Sequence, residues 1–582
     1  MKFLKYVLAT LVALFIFSGI GFFLFIATLG LLTAEKVTTI GENSVLHLRL
    51  QNPIEERGFD DPISDLTLGG ASSIGILDLK DAIDNAKTDD NIKGIYLDLN
   101  FLSTGFGQAY ELRESLKGFK ESGKFIIAYS DLMSEGCYYL ASVADSVFIE
   151  PEGSVEFNGI SYSVTFFKGS LEKLDVTPQI FRVGDFKSAV EPFTRKDMSE
   201  ENRLQVSSFI NDIYDNMLID IADSRKIDLN DLRAISGEMK ARNSKMALEL
   251  GLIDGLRYSD EVEEVMRNEL GLEEGAKVNL VSYKSYKNSY TNSSSSSNRI
   301  AVIVASGEII FGEGNQNTIG GEKFVKEIRK ARKSSRINAI VLRINSPGGN
   351  FIASDEIWRE VELASREKPV IASMSSYAAS GGYYMAMAAD TIVAYPNTIT
   401  GSIGIYSILF DMSKLLENKL GITSDGVNTG KYSDMLTVSR PLTDYEKEIY
   451  QEQTNEGYET FVSKAAEGRG MSVDEIKEIA SGRVWTGKQA YDIGLVDVLG
   501  DYDDALKIAA EKAGIADDYK VLIYPAQKTF WEQLLLDLGQ DVRMKVIGAE
   551  AAEILPYVDF LSRIKNLQGT QARMPYDLVT EF

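Results

Sequence analysis

The chain holds one histidine and one cysteine in 582 residues. A lone cysteine, Cys137, excludes an intrachain disulfide and any cysteine-pair redox motif. With a single histidine, a Cys/His zinc site is excluded as well. That histidine, His47, lies in Val45-Leu46-His47-Leu48-Arg49-Leu50, which alternates like a strand and precedes the matched segments of both copies described below. It reads as a satisfied strand residue, so a Ser-His-Asp triad has no histidine to use. Any hydrolytic site must then take its base from a lysine or a carboxylate. Positive charge is also short: 61 basic residues face 85 acidic ones, a formal net charge of −24. Nucleic-acid binding needs basic patches that neutralise phosphate, and this balance argues against it. A solvated, soluble surface accounts for the acidity. No metal or organic cofactor is implied.

Long apolar runs are equally scarce. Lys2 and Lys5 precede one uncharged run, residues 6–34, which Glu35 and Lys36 end. It exceeds the roughly 20 residues that span a bilayer and the 7–15 of a cleaved signal core. Residues 1–36 are therefore expected to be a cytoplasmic start and a single transmembrane helix. The leading lysines place the remainder outside the cytoplasm. A cleaved leader is the alternative, with Thr33-Ala34 as its weak small-residue support.

What the chain does have is a repeat. Ile92-Lys93-Gly94-Ile95-Tyr96-Leu97-Asp98-Leu99-Asn100 matches Ile337-Asn338-Ala339-Ile340-Val341-Leu342-Arg343-Ile344-Asn345. At the same offset Gly136, Tyr138, Ala144, Asp145, Pro151 and Gly159 fall on Gly381, Tyr383, Ala389, Asp390, Pro396 and Gly404. One pairing changes the chemistry: Glu135 stands where the second copy has Ser380, inside Ala378-Ala379-Ser380-Gly381-Gly382. A duplicated enzyme with divided labour is the reading this suggests.

A serine-rich tract, Ser293 through Ser297, divides the copies, since such polar segments bury nothing. Residues 40–285 form the first repeat, 286–298 the linker and 299–525 the second repeat. In the second repeat Ile300–Val304, Ala339–Ile344 and Pro369–Ser373 read as buried strands. Residues 321–332 and 354–365 read as helices, and a helix start is expected at 383–389. Strand–helix alternation predicts an α/β fold with parallel strands. Residues 526–582 form an extension that is expected to be helical, because 530–566 has apolar residues at helical spacing.

Two glycine-rich junctions carry the candidate chemistry. Asn345-Ser346-Pro347-Gly348-Gly349 follows a buried strand, and its glycines leave backbone N–H groups unobstructed. It is either a plain strand-to-helix turn or part of an oxyanion hole. Ser380 sits at a second junction and is either an N-cap or a nucleophile with open space around Oγ. For a base, Lys187 stands in Gly184-Asp185-Phe186-Lys187-Ser188-Ala189-Val190-Glu191-Pro192-Phe193 of the first repeat. Its counterpart in the second, aligned through Gly184 and Gly430, is Ser433. One copy keeps the lysine and the other the serine. A lysine acts as a base only when neutral, which requires burial or neighbouring positive charge. Phe186, Ala189, Val190 and Phe193 are expected to supply an apolar setting.

Together the Lys187 segment, Asn345–Gly349, Tyr377-Ala378-Ala379-Ser380-Gly381-Gly382-Tyr383-Tyr384 and Thr400-Gly401-Ser402-Ile403-Gly404-Ile405 closely resemble the signal peptide peptidase A (protease IV) family. The match is to its long, two-domain bacterial form and covers nearly all of the chain after residue 36. The resemblance implies two tandem Clp-protease/crotonase-like repeats and a serine endopeptidase that degrades cleaved signal peptides. It makes Ser380 the nucleophile and Lys187 the general base and acid. Gly349 and Gly381 would supply the oxyanion-hole N–H groups. It also implies a homotetramer on the periplasmic side of a bacterial inner membrane, held to lipid by the anchor and acting on unfolded apolar peptides. Ser402 is either a hydroxyl that orients the Lys187 amine or an ordinary turn serine. Two rival functions share parts of the pattern: a crotonase-like acyl-CoA enzyme, and a catalytically silent membrane scaffold.

Overall fold

The computed structural model describes residues 5–6, 10–21, 39–59, 72–290, 296–516, 518–527 and 569–574. Among these no helix is long and apolar enough to cross a membrane. Most of the apolar run 6–34, and all of 530–566, lie outside the described residues.

Two parallel sheets with the same strand order form the body, one for each repeat. In the first the order is Gly255–Leu256, Ser146–Val155, Phe125–Met133, Ile92–Asp98, Ser44–Arg49, Asn279–Ser282. In the second, Val370–Ala379, Ala339–Ser346, Arg299–Ser306 and Lys520–Tyr524 follow one another in matching positions. Arg299–Ser306 is buried along almost its whole length, as a parallel strand covered on both faces must be. Its neighbour Ala339–Ser346 pairs with it in register, Val302 against Val341. The duplication extends to single bonds. Tyr138 donates its hydroxyl to the Leu252 carbonyl at 2.9 Å, and Tyr383 donates to that of Leu495 at 3.0 Å. His47 occupies a strand, lies 3.3 Å from the Asp98 carboxylate and stacks on Tyr96, as a satisfied strand residue should.

Helices cover these sheets through apolar residues spaced three and four apart. In Gly321–Lys333 these are Phe324, Ile328 and Ala331, and the last turn gathers Lys330, Arg332 and Lys333 at the negative end of the dipole. Phe351–Ser365 begins earlier than its apolar spacing suggests because the Asn350 side chain caps it, accepting the Ala353 N–H at 3.0 Å. Val370–Ala379 runs six residues past the expected Ser373, since Tyr377–Ala379 pairs with Ile399–Gly401. The following helix starts at Gly381, two residues before the expected Tyr383.

A third sheet joins the repeats. Its order is Thr318–Gly320, Glu308–Ile310, Gly348–Asn350, Gly569–Arg573, Tyr406–Asp411, Thr177–Arg182. The last strand belongs to the first repeat and pairs antiparallel with Tyr406–Asp411 of the second. Gly569–Arg573, inside the extension expected to be helical, is a strand, while residues 530–566, on which that expectation rests, lie outside the described residues. Its backbone finds ladder partners on both sides, and short-range periodicity cannot anticipate that pairing.

A buried ion cluster also locks the repeats together. Arg343 of the second has no exposed surface and donates to Glu56 at 2.7 Å and to Glu111 at 2.5 Å, both in the first. Ser373, Ser375 and Tyr395 accept its remaining N–H groups at 3.1 Å. Arg343→Met is expected to cost about 3–5 kcal/mol, because it strands two buried carboxylates without their cation. Chemical denaturation would show this as a lowered midpoint, and an unchanged midpoint would mean that the cluster contributes nothing net.

Candidate active site

Ser380 occupies the turn between Val370–Ala379 and the helix Gly381–Ala386. Its backbone is held at φ 55°, ψ −112°, a conformation that side-chain-bearing residues rarely adopt. The Ser380 N–H donates to the Gly401 carbonyl at 2.8 Å, and its own carbonyl accepts from Tyr384 at 2.8 Å, so the turn is fixed at both ends. Its side chain makes no capping bond to the helix. That rules out the N-cap reading, because Oγ points elsewhere. It lies 2.8 Å from Nζ of Lys187.

Lys187 reaches this position from the loop after Thr177–Arg182. Gly184 permits the approach: it has φ +93°, and a Cβ there would lie 2.4 Å from the Ser481 carbonyl oxygen. The loop is then tied down. Phe186 N–H donates to Ser481 O at 3.1 Å, and the Gln205 amide donates to Phe186 O at 3.0 Å and to Ser188 Oγ at 2.6 Å. The lysine is fully buried. Among the described residues, Nζ meets besides Ser380 only Ser402, at 3.1 Å from both its carbonyl oxygen and Oγ. Burial alone pushes the lysine far below its ordinary value of 10.5, with no carboxylate opposing it. Burial thus favours the neutral amine, whose lone pair can accept a proton.

The apolar cradle differs from the one expected. Ala189 and Val190 pack with Leu171, Val176, Tyr406, Ile408 and Phe410, with Phe193 against the edge of that cluster. The lysine stem is instead held by glycines of the second repeat. A Cβ on Gly482 would come 2.7 Å from Lys187 Cβ, and one on Gly404 3.3 Å from its Cδ. Sequence reading missed Gly482; the dipeptide Ser481-Gly482, with both residues at positive φ, was the available signal. Gly482→Ala, at φ +80°, is expected to push the lysine out of line and lower kcat about 100-fold, the cost of a misplacement near 1 Å. Steady-state kinetics on folded protein would check this, and unchanged kcat would show that the cradle has slack.

Gly348 and Gly349 complete the cleft. The Gly348 N–H is taken by Ser346 Oγ at 3.2 Å, while Gly349 pairs with Ile309 on one side and Ala572 on the other. Gly348 lies directly against Gly381: a Cβ on the former would sit 2.7 Å from the Gly381 nitrogen. The two glycine junctions thus converge beside Ser380. Ser402, at φ 51°, faces the lysine and is more than a turn serine. Ser433, the sequence counterpart of Lys187, is exposed, and its hydroxyl donates to the nearby Gly430 carbonyl.

In the first repeat the equivalent place is filled. The Glu135 carboxylate accepts N–H groups from Asn158 and Gly159 at 3.1 and 2.8 Å, and the Tyr214 hydroxyl at 2.8 Å. Burial raises its pKa, although these bonds oppose the rise.

The sequence is similar to those of known proteins. The profile of peptidase family S49 matches residues 118–273 and again 362–516, one match in each repeat. A chloroplastic serine protease SPPA of Arabidopsis thaliana is 35% identical over 559 residues, 95% of this chain and 80% of its own length. Protease 4 of Haemophilus influenzae is also 35% identical, over 77% of this chain and 74% of its own. A ClpP1 chain from Listeria monocytogenes superposes on 35% of this chain with 21% identity and a TM-score of 0.24. With the family domain present twice and relatives aligned across most of their length, the chain belongs to peptidase family S49 and is a serine peptidase.

Proposed function

We propose that this serine peptidase uses a Ser380–Lys187 dyad to degrade signal peptides after their release, on a Clp-protease/crotonase-like scaffold in each repeat. The observation that carries the reading is the 2.8 Å approach of a fully buried lysine amine to the Ser380 hydroxyl. Lys187 takes the Ser380 proton as Oγ attacks the peptide carbonyl, then returns it to the departing amine. The N–H groups of Gly349 and Gly381 receive the oxyanion, a contribution of roughly 2.7–4 kcal/mol per donor. Ser402 holds the amine in line. Water then hydrolyses the acyl-enzyme.

The apolar run 6–34 would anchor the chain in a bacterial inner membrane with the peptidase on the periplasmic side, as a homotetramer. That placement favours unfolded, apolar substrates. A labelled signal-peptide mimic is expected to be cut and a folded protein left intact. Equal rates on both would reject the substrate class. Because both residues of the dyad come from one chain in the structure, mixing Ser380→Ala with Lys187→Ala protein is expected to restore no activity.

A further inference from the structure

The helix Glu200–Arg225 of the first repeat turns a polar stripe toward the second. Gln205, Ser208, Asp212 and Asn216 recur at helical spacing and so share one face. Each bonds across the boundary. Gln205 Oε1 accepts the Val484 N–H at 3.2 Å, and Ser208 Oγ accepts from the Gln489 amide at 3.2 Å. Asp212 accepts the Thr486 hydroxyl, and the Asn216 amide donates to Asn397 Oδ1 at 3.1 Å. The stripe therefore fixes how the lysine-bearing repeat sits on the serine-bearing one.

Gln205 differs from the other three because its second end reaches the loop that carries the base. The side chain is fully buried. Its nitrogen donates to the Phe186 carbonyl at 3.0 Å and to Ser188 Oγ at 2.6 Å, the residues on either side of Lys187. Only one orientation of the amide fits, since a carbonyl oxygen faces its nitrogen and an N–H faces its oxygen. The accepting end is just as closely tied to the serine. Val484 pairs with Gly401, whose carbonyl takes the Ser380 N–H at 2.8 Å. Two residues before Val484, Gly482 packs on the lysine itself: a Cβ there would lie 2.8 Å from Lys187 Cα. One side chain thus spans from the peptide that precedes the base to the strand that frames the nucleophile. Behind it, Ser188 Oγ donates to Asn202 Oδ1 at 3.0 Å, and Asn202 donates to Glu191 at 2.8 Å. The far end of the loop is held by the same helix.

The geometry points to Gln205 as a positioning residue that sets the reach of Lys187 to Ser380, acting through Phe186 and Ser188 and never touching substrate. This rests on the dyad reading above and extends it to the group that assembles the dyad from two repeats. Without the amide, the Phe186 carbonyl loses its donor and the lysine drifts from Ser380 Oγ, while the peptide-binding cleft keeps its walls. Proton transfer falls steeply with misplacement, so the loss belongs to kcat and not to KM.

Steady-state kinetics of the full-length chain on a labelled apolar peptide test this, with thermal unfolding followed in parallel. Gln205→Met keeps the length of the side chain and removes its hydrogen bonds. Its kcat is expected to fall on the order of 10–100-fold, with KM within about twofold of wild type. Gln205→Asn is one methylene too short to span from Val484 to Phe186. It is expected to show the same split to a smaller degree, and it decides the matter if Gln205→Met does not fold. Ser208→Ala removes a bond of the same stripe without touching the loop, and is expected to keep kcat within about twofold even where its unfolding midpoint drops. Wild-type kcat in the Gln205 variants overturns the proposal. An equal fall in Ser208→Ala also overturns it, because the effect is then a general loosening of the boundary. So does a raised KM at unchanged kcat, which would put the glutamine in substrate binding. If wild type leaves the peptide uncut, or Ser380→Ala still cuts it, the dyad reading falls first and this inference with it.

Discussion

Replacing Ser380 with alanine is expected to lower kcat by about 10⁵–10⁶-fold, the size of loss seen when a serine peptidase loses its nucleophile. Two hydroxyls touch the Lys187 amine, and the prediction depends on telling them apart. Ser402 lies at 3.1 Å and is enclosed between Gly482 and Arg483, whose carbonyl takes its N–H at 2.7 Å. Ser380 is closer and stands where Gly348 and Gly381 converge, so only its Oγ has N–H donors beside the carbon it would attack. Ser402→Ala is accordingly expected to keep measurable activity, reduced about 10–100-fold through a less ordered amine. Backbone strain provides an independent check. A side-chain-bearing residue at φ 55°, ψ −112° costs on the order of 1–3 kcal/mol, and glycine does not bear that cost. Ser380→Gly is expected to be inactive yet no less stable than Ser380→Ala, and more stable by about 1 kcal/mol if strain outweighs glycine's extra chain entropy. Activity in Ser380→Ala within tenfold of wild type would remove the serine from the mechanism.

The halves of this site were unequally legible in the sequence. Ser380 could be read because duplication set Glu135 opposite it, so the same scaffold position is seen with and without a hydroxyl. Strand and helix placement in the second repeat followed from continuous apolar runs and three-four spacing, since those elements bury whole faces. Lys187 was visible only as a lysine among apolar neighbours. Its true setting comes from Gly404 and Gly482, more than two hundred residues away, and no local pattern encodes that approach. The tail strand was missed for the same reason: Gly-Thr-Gln-Ala-Arg has no strand alternation, and its pairing is supplied entirely by strands already in place. The Arg343 cluster shows the converse. Its sequence partner Asp98 carries the opposite charge, a departure from symmetry that marks where the copies bind each other rather than repeat each other.

Lys187→Met is expected to abolish activity while changing how stability responds to pH, and the two effects share one cause. Burial holds the folded-state lysine far below 10.5, whereas the unfolded chain protonates it near that value. Between those two values the unfolded state binds one more proton than the folded state. Stability conferred through this residue therefore rises with pH, by about 1.4 kcal/mol per unit, and falls by the same amount per unit as pH drops toward the folded value. Methionine fills a similar volume and does not titrate. Subtracting its unfolding free energy from that of wild type should leave a line of this slope between the folded-state value and 10.5, flat above 10.5. Catalysis follows the same proton and also rises with pH. Wild-type kcat/KM should climb as Lys187 loses its proton, on a limb well below 10.5, because the free enzyme's base sets that limb. A limb near 10.5, or a wild-type and Lys187→Met difference independent of pH, would mean that the lysine keeps its charge in the folded chain and cannot accept the serine proton. The enzyme thus tolerates an amine whose desolvation costs stability below pH 10.5, and that same desolvation makes the amine a base.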